Sequence, residues 1–184
     1  MKRLFVTLTT KGSIDNAIKE LEKYKKNLIS REEQFCNRLA DIGVKAAMLT
    51  LAFKGHGDSD RSAVFSVDFA VDGDTVSGKL SITSTPHETK DGRVFYPHLA
   101  WEFGAGNKFN GMTSKNPYAA KFGMGPGTFP DQTHVPKPGF WYYRDEHGDP
   151  IRSYGTQETQ PMHTAVVEMI NSIETIAKEV YGEK

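Results

Sequence analysis

The sequence predicts an α+β protein: an antiparallel sheet with a β-hairpin, packed against two N-terminal helices and one C-terminal helix, with a long Gly/Pro-rich loop inserted. Three observations carry that prediction. Apolar residues recur at helical spacing from Ile14 to Phe53. The period then changes to two between about Ser62 and Ser84. Helical spacing returns behind the pair Gln160-Pro161 and runs to Val180.

The elements follow in order. Residues 4–9 alternate weakly and predict a short strand. Ser13 suits a helix N-cap and Asp15 the first turn, where negative charge favours the helix dipole. Ile14, Ile18, Leu21, Tyr24 and Leu28 then line one face, and Lys19, Glu20, Lys25 and Lys26 the solvated one. Ser30-Arg31-Glu32-Glu33 has the pattern of a capping box and predicts that a second helix begins there. Its face continues through Phe35, Leu39, Ile42, Ala46 and Phe53. Ala40, Gly43, Ala46 and Ala47 make it slim enough for close packing by another backbone. The glycines and aspartate of 54–58 end it.

In the hairpin, Ala63, Phe65, Val67, Phe69 and Val71 alternate with polar or small residues, Asp72-Gly73-Asp74 marks the turn, and Val76, Leu80 and Ile82 resume the alternation. Thr85 to Arg93 reads as loop. Val94 to Phe103 reads as an extended aromatic strand, confined to a sheet edge or strand start by Pro97. Residues 105–138 form an extended loop insertion within a single domain spanning 1–184. Phe140 to Arg144 reads as a strand, 145–150 as a turn and Ile151 to Tyr154 as a short return strand. In the last helix Pro161 takes the first position, and Met162, Val166, Met169, Ile173, Ile176 and Val180 form an apolar stripe.

Composition narrows the function classes. Lys plus Arg and Asp plus Glu balance at 23 each, which argues against nucleic acid as the main partner, since phosphate binding normally brings a basic excess. Zero net charge does little to hold copies apart and suits a protein that assembles. The single cysteine, Cys36, excludes an internal disulfide and a thiolate zinc cluster. No secretion segment is legible and no apolar run approaches the roughly 20 residues of a membrane helix, so the expectation is a soluble protein made inside a cell.

Candidates for chemistry are few. Of the six histidines none has the helical zinc spacing, and His56, Asp58 and Asp60 make the one loop cluster that could ligate a metal or serve a small hydrolase. Gly, Asp and His are also ordinary loop residues, so no metal or cofactor is expected. Cys36, mid-helix beside Phe35, reads as structural rather than nucleophilic. Gly123-Met124-Gly125-Pro126-Gly127 lacks the strand and the Gly-Lys-Ser/Thr of a phosphate loop. Glu102 stands between Trp101 and Phe103, where apolar neighbours would raise its pKa; a general acid is conceivable, and a carboxylate capping backbone N–H groups or meeting a cation is favoured. Phe140-Trp141-Tyr142-Tyr143 suits core or subunit contact, with a glycan-binding platform as the alternative.

Tyr96, Trp101-Glu102-Phe103-Gly104, Gln160-Pro161-Met162 and Ala165, in that order, give the chain a family likeness. It resembles the small neck and tail-completion proteins of tailed bacteriophages, a group that includes minor tail proteins of the Z type. Members share an N-terminal helical region, strands closing on Glu-Phe-Gly, a loop, and Gln-Pro-Phe before a C-terminal helix. The likeness covers roughly residues 30–181 in element order. Met162 replaces the usual Phe, Gly57-Asp58-Ser59-Asp60-Arg61 stands where the family has Pro-Val-Asp-Thr-Gly, and 105–160 is longer than usual. The resemblance implies a non-enzymatic virion protein that forms a homo-oligomeric ring at the head–tail connector, as tail terminator or tail-completion protein. Its partners would be copies of itself and neighbouring neck and tail proteins, with DNA passing the channel without sequence-specific contact and no membrane. Trp101, Glu102, Phe103 and Phe140, Trp141, Tyr142, Tyr143 are the expected subunit or inter-ring contacts.

Overall fold

The computed structural model describes residues 11–53, 63–88, 92, 94–106, 118–126, 128, 140–144, 147–153 and 155–182. The N-terminal strand expected at 4–9 lies outside them.

The α+β class holds, with helices towards both ends and an antiparallel hairpin between them. The two helical segments expected at the N-terminus join into one helix, α1, Lys11–Phe53. Its 43 residues span about 64 Å at 1.5 Å per residue. Ser30 lies in its interior. A capping box can start a helix but cannot stop the one before it, and no Pro or Gly stands between Ser13 and Ile42 to break the hydrogen-bond ladder.

The hairpin consists of β1 (Val64–Asp72) and β2 (Thr75–Thr83), in register from Val64↔Thr83 to Asp72↔Thr75. A two-residue turn joins them, and its first position, Gly73, takes φ 60°, which a glycine reaches without steric cost. The alternation turns one face towards α1: a Cβ placed on Gly43 of α1 would meet the Leu80 side chain, and one on Gly78 would lie against Cys36. Lys25 of α1 pairs with Asp74 at the hairpin tip, 2.5 Å apart.

The last helix, α3 (Pro161–Tyr181), lies antiparallel along the second half of α1. Phe35 meets Tyr181, Arg38 pairs with Glu179, and Gly43 faces Met169. Ala40, Gly43, Ala47 and Leu51 are buried on this face, so the slim stretch receives a helix as its composition predicts. The expected stripe of α3 divides. Ala165 and Ile176 are buried, with Met162, Met169 and Val180 half-buried beside them, whereas Val166 and Ile173 are exposed with Ile170.

Two short strands, β3 (His87–Glu88) and β4 (Val94–Phe95), pair antiparallel after the hairpin. The extended strand expected through Phe103 stops there. Pro97 begins a helix instead, α2 (Pro97–Phe103), at the first-turn position that tolerates its missing N–H. The sheet is divided into small pieces. β5 (Ala105–Gly106) pairs antiparallel with β9 (Gly155–Thr156) and parallel with β6 (Gly125–Pro126), and β7 (Trp141–Arg144) pairs antiparallel with β8 (Pro150–Ser153). The described parts of the 105–138 insertion are therefore not an extended loop. They fold back on α2, where Ala100, Phe103, Ala105, Ala119 and Met124 form a buried cluster and Phe122 stacks on Phe103 at 5.7 Å. Residues 107–117 and 129–138, and with them most of the expected inter-ring loop, lie outside the described residues.

Candidate functional site

The segment Trp101–Gly104 closes α2, and the chain leaves through Gly104 at φ 72°, a region that favours glycine. A helix end leaves its last carbonyls without partners, and a helix start leaves its first N–H groups so. Here two ends satisfy each other. The Trp101 carbonyl accepts from the Thr159 N–H at 2.7 Å, the Gln160 N–H at 3.1 Å and the Thr159 hydroxyl at 3.2 Å. The Glu102 carboxylate accepts from the Met162 N–H at 2.8 Å and the His163 N–H at 3.1 Å. Those are the second and third residues of α3, the positions that an N-cap side chain normally serves.

Gln160 cannot do so itself. It sits left-handed at φ 55° and makes no side-chain cap. Glu102, 60 residues away from Met162, takes the cap's place, and its negative charge suits the dipole at the start of α3. Trp101, Phe103, Gly104 and Pro161 are buried around it. Burial pushes the Glu102 carboxyl above the ordinary carboxylate range, and the two N–H donors and the His163 charge pull the other way. Both carboxylate oxygens are engaged by backbone donors, so the group works as a brace; the capping role favoured from the sequence is the one its geometry shows.

The other expected contact residues are on a separate element. Trp141, Tyr142 and Tyr143 lie in β7, in register with Ser153, Arg152 and Ile151. Phe140 precedes the strand, half-buried, with the Arg152 guanidinium 5.0 Å from its ring centroid. The contacts expected of the Trp141, Tyr142 and Tyr143 side chains lie outside the described residues. Trp101 and Phe103, expected on a strand as subunit contacts, are instead buried helical residues within this chain.

One pairing has no counterpart in the sequence reading. The Ser84 Oγ lies 2.8 Å from His98 Nδ1 and accepts from the His98 backbone N–H at 3.1 Å. The serine thus caps the start of α2, where Tyr96 has no side-chain cap to offer. Burial lowers the His98 pKa, favouring the neutral ring. The available signal for both braces was the same gap: Tyr96 and Gln160, which precede the two helices, are not among the short polar residues that usually cap a helix start. Among the described residues no group of three or more His, Cys, Asp or Glu is placed to hold a metal, and the cluster of His56, Asp58 and Asp60 lies outside them. Cys36 is half-buried on α1 against the hairpin, and burial raises its thiol pKa, followed by the charge of Glu32.

Among the described residues exposed apolar side chains occur on several elements, including Met48 and Leu49 of α1 and Val64, Phe69 and Val71 of the hairpin, and two helical rows stand out. The first third of α1 carries Ile14, Ile18, Leu21 and Leu28 in one row, with Leu21 56% exposed. The outer side of α3 carries Val166, Ile170 and Ile173, with Ile170 59% exposed. No described helix is long and apolar enough to cross a membrane.

Comparison with family models, with characterised proteins and with solved structures finds no match to this chain.

Proposed function

We propose that this chain is a structural ring protein of a tailed-phage-type particle, acting at the neck or tail end by geometry rather than by catalysis. The observation that supports it best is the junction of α2 and α3. Trp101-Glu102-Phe103-Gly104 and Gln160-Pro161-Met162, the motifs on which the family likeness rests, meet there through the Glu102 carboxylate and the Trp101 carbonyl. Residues so far apart in sequence belong to one structural device, which gives a physical reason for the two motifs to occur together. The apolar rows on α1 and α3 suit a protein completed by neighbouring copies.

The proposed ring has copies of the chain as its first partners and neck and tail proteins above and below it, with a channel for DNA. The test is electron microscopy and mass measurement of the purified full chain. The expected result is a closed ring with an axial opening; a stable monomer at every concentration contradicts it.

A hydrolase is the second reading, and one observation favours it: a serine hydroxyl within hydrogen-bond reach of an imidazole, Ser84 to His98. Against it, Ser84 is buried and its oxygen already accepts from the His98 N–H. Labelling by a serine-directed phosphonate, lost in Ser84→Ala, would support the hydrolase over the ring.

A further inference from the structure

Helix α1 carries one largely apolar seam at heptad spacing, interrupted by Lys25 and Glu32. It runs through Ile14, Ile18, Leu21 and Leu28 and on through Phe35, Leu39 and Ile42. From Phe35 onward the seam is covered by α3 and the hairpin, and the Phe35–Tyr181 contact marks the end of α3. The seam then continues for 21 residues towards Ile14, about 32 Å of helix at 1.5 Å per residue. The Lys25–Asp74 pair marks where the hairpin tip reaches. A face already built to receive a helix thus extends past the one it holds.

We infer that this arm of α1 docks on the outer row of α3, Val166, Ile170 and Ile173, in a second copy of the chain, so that copies join head to tail. The inference deepens the ring reading and rests on self-assembly, not on the assembly being a virion. Three features select α3 of a second copy as occupant. The arm needs a helix with an apolar row, and α3 has one in the exposed Val166, Ile170 and Ile173, flanking the side on which Met169 faces its own α1. The charges are complementary: with the pairs made inside the chain set aside (Lys25–Asp74, Arg38–Glu179 and Lys178–Glu174), residues 11–28 hold four lysines against three acids and 161–181 keep Glu168. Pairing arm with arm, or α3 with α3, sets like net charges together. Two different faces also give a heterologous contact, which closes into a ring or runs on as a filament, whereas a self-complementary face stops at a dimer.

The test uses the full chain with Leu21→Asp in the arm or Ile170→Asp on α3, and sedimentation velocity up to millimolar concentration. Both side chains are exposed in the monomer, and circular dichroism checks that helix content is kept. Ile18→Asp and Ile173→Asp serve as an independent second pair. Wild type is expected to assemble, each variant alone to lose every species above monomer, and an equimolar mixture to give one-to-one dimers and nothing larger. The intact arm of Ile170→Asp docks on the intact α3 of Leu21→Asp, and neither free end can extend. A variant that still assembles alone overturns this interface and leaves the ring reading standing. A dimer of Ile170→Asp by itself means arm-on-arm pairing and overturns it, as does a mixture that stays monomeric. A monomeric wild type at all concentrations overturns both readings.

Discussion

The two ends of α1 carry the same seam and have different surroundings. In residues 35–51 its Phe35, Leu39 and Ile42 are half-buried and flanked by the small, buried Ala40, Gly43 and Ala47, and α3 and the hairpin lie against it. In residues 14–28 the seam residues are exposed and no row of small residues runs beside them. Periodicity reports that a face is apolar; small residues beside it separate the part packed within the chain from the part left open. Small side chains let a backbone approach within one molecule, and large ones left in water mark a surface that gains from a partner.

The sharpest way to test that contrast is a matched pair of truncations. Leu51→Ala, in the covered half, is expected to lower the unfolding free energy by about 2–5 kcal/mol, as lost burial plus a residual cavity. Leu21→Ala, in the open half, is expected to change monomer stability by no more than about 0.5 kcal/mol. Urea unfolding under monomeric conditions checks both; equal losses would break the comparison.

Enlarging Gly43 gives the next effect. A Cβ there would stand 2.9 Å from Leu80 Cδ2 and 2.9 Å from Met169 Sδ. Leu80 Cδ2 ends its side chain, but Met169 must move as a whole because its Cγ also lies 3.2 Å away; that shift offsets the gain of up to about 1 kcal/mol of alanine over glycine in a helix, so Gly43→Ala is expected to be close to neutral. Gly43→Leu has no room and is expected to cost about 1–3 kcal/mol through overpacking, measured by the same unfolding curves.

The smallest effect is at the helix junction. Because burial holds the Glu102 carboxyl above its ordinary range, the folded chain keeps that proton to higher pH than the unfolded chain. The stability this contributes is complete below the ordinary carboxylate value and is lost as pH rises through the folded value. Glu102→Gln is expected to flatten that slope, seen as unfolding midpoints of variant and wild type that differ with pH. Glu102→Ala removes the acceptor of two N–H groups and is expected to cost about 1 kcal/mol near neutral pH, the usual worth of a cap.

What the sequence made legible is uneven for physical reasons. The hairpin came out within two residues at its start and one at its end, because period-two alternation and an Asp-Gly turn are local signals. The start of α3 at Pro161 did so as well. The continuity of α1 was missed because a capping-box pattern says where a helix can begin, while continuation depends on the absence of a breaker before Ser30. The helix at Pro97–Phe103 was missed because Pro97 is compatible with both a strand edge and a first helical turn, and the deciding contacts come from Thr159, Gln160 and Ser84, distant in sequence. For the site, the alternatives for Glu102 were legible from its neighbours, but its partners at Met162 and His163 were not, since nothing local links residues 60 apart.

Whether a neighbour covers the open half of α1 is tested most directly by amide hydrogen exchange read along that helix. Residues 35–51 are predicted to be protected at every protein concentration, and protection of residues 14–28 to rise with concentration as copies assemble. Exchange in 14–28 that stays the same from dilute monomer to the most concentrated sample would contradict the account.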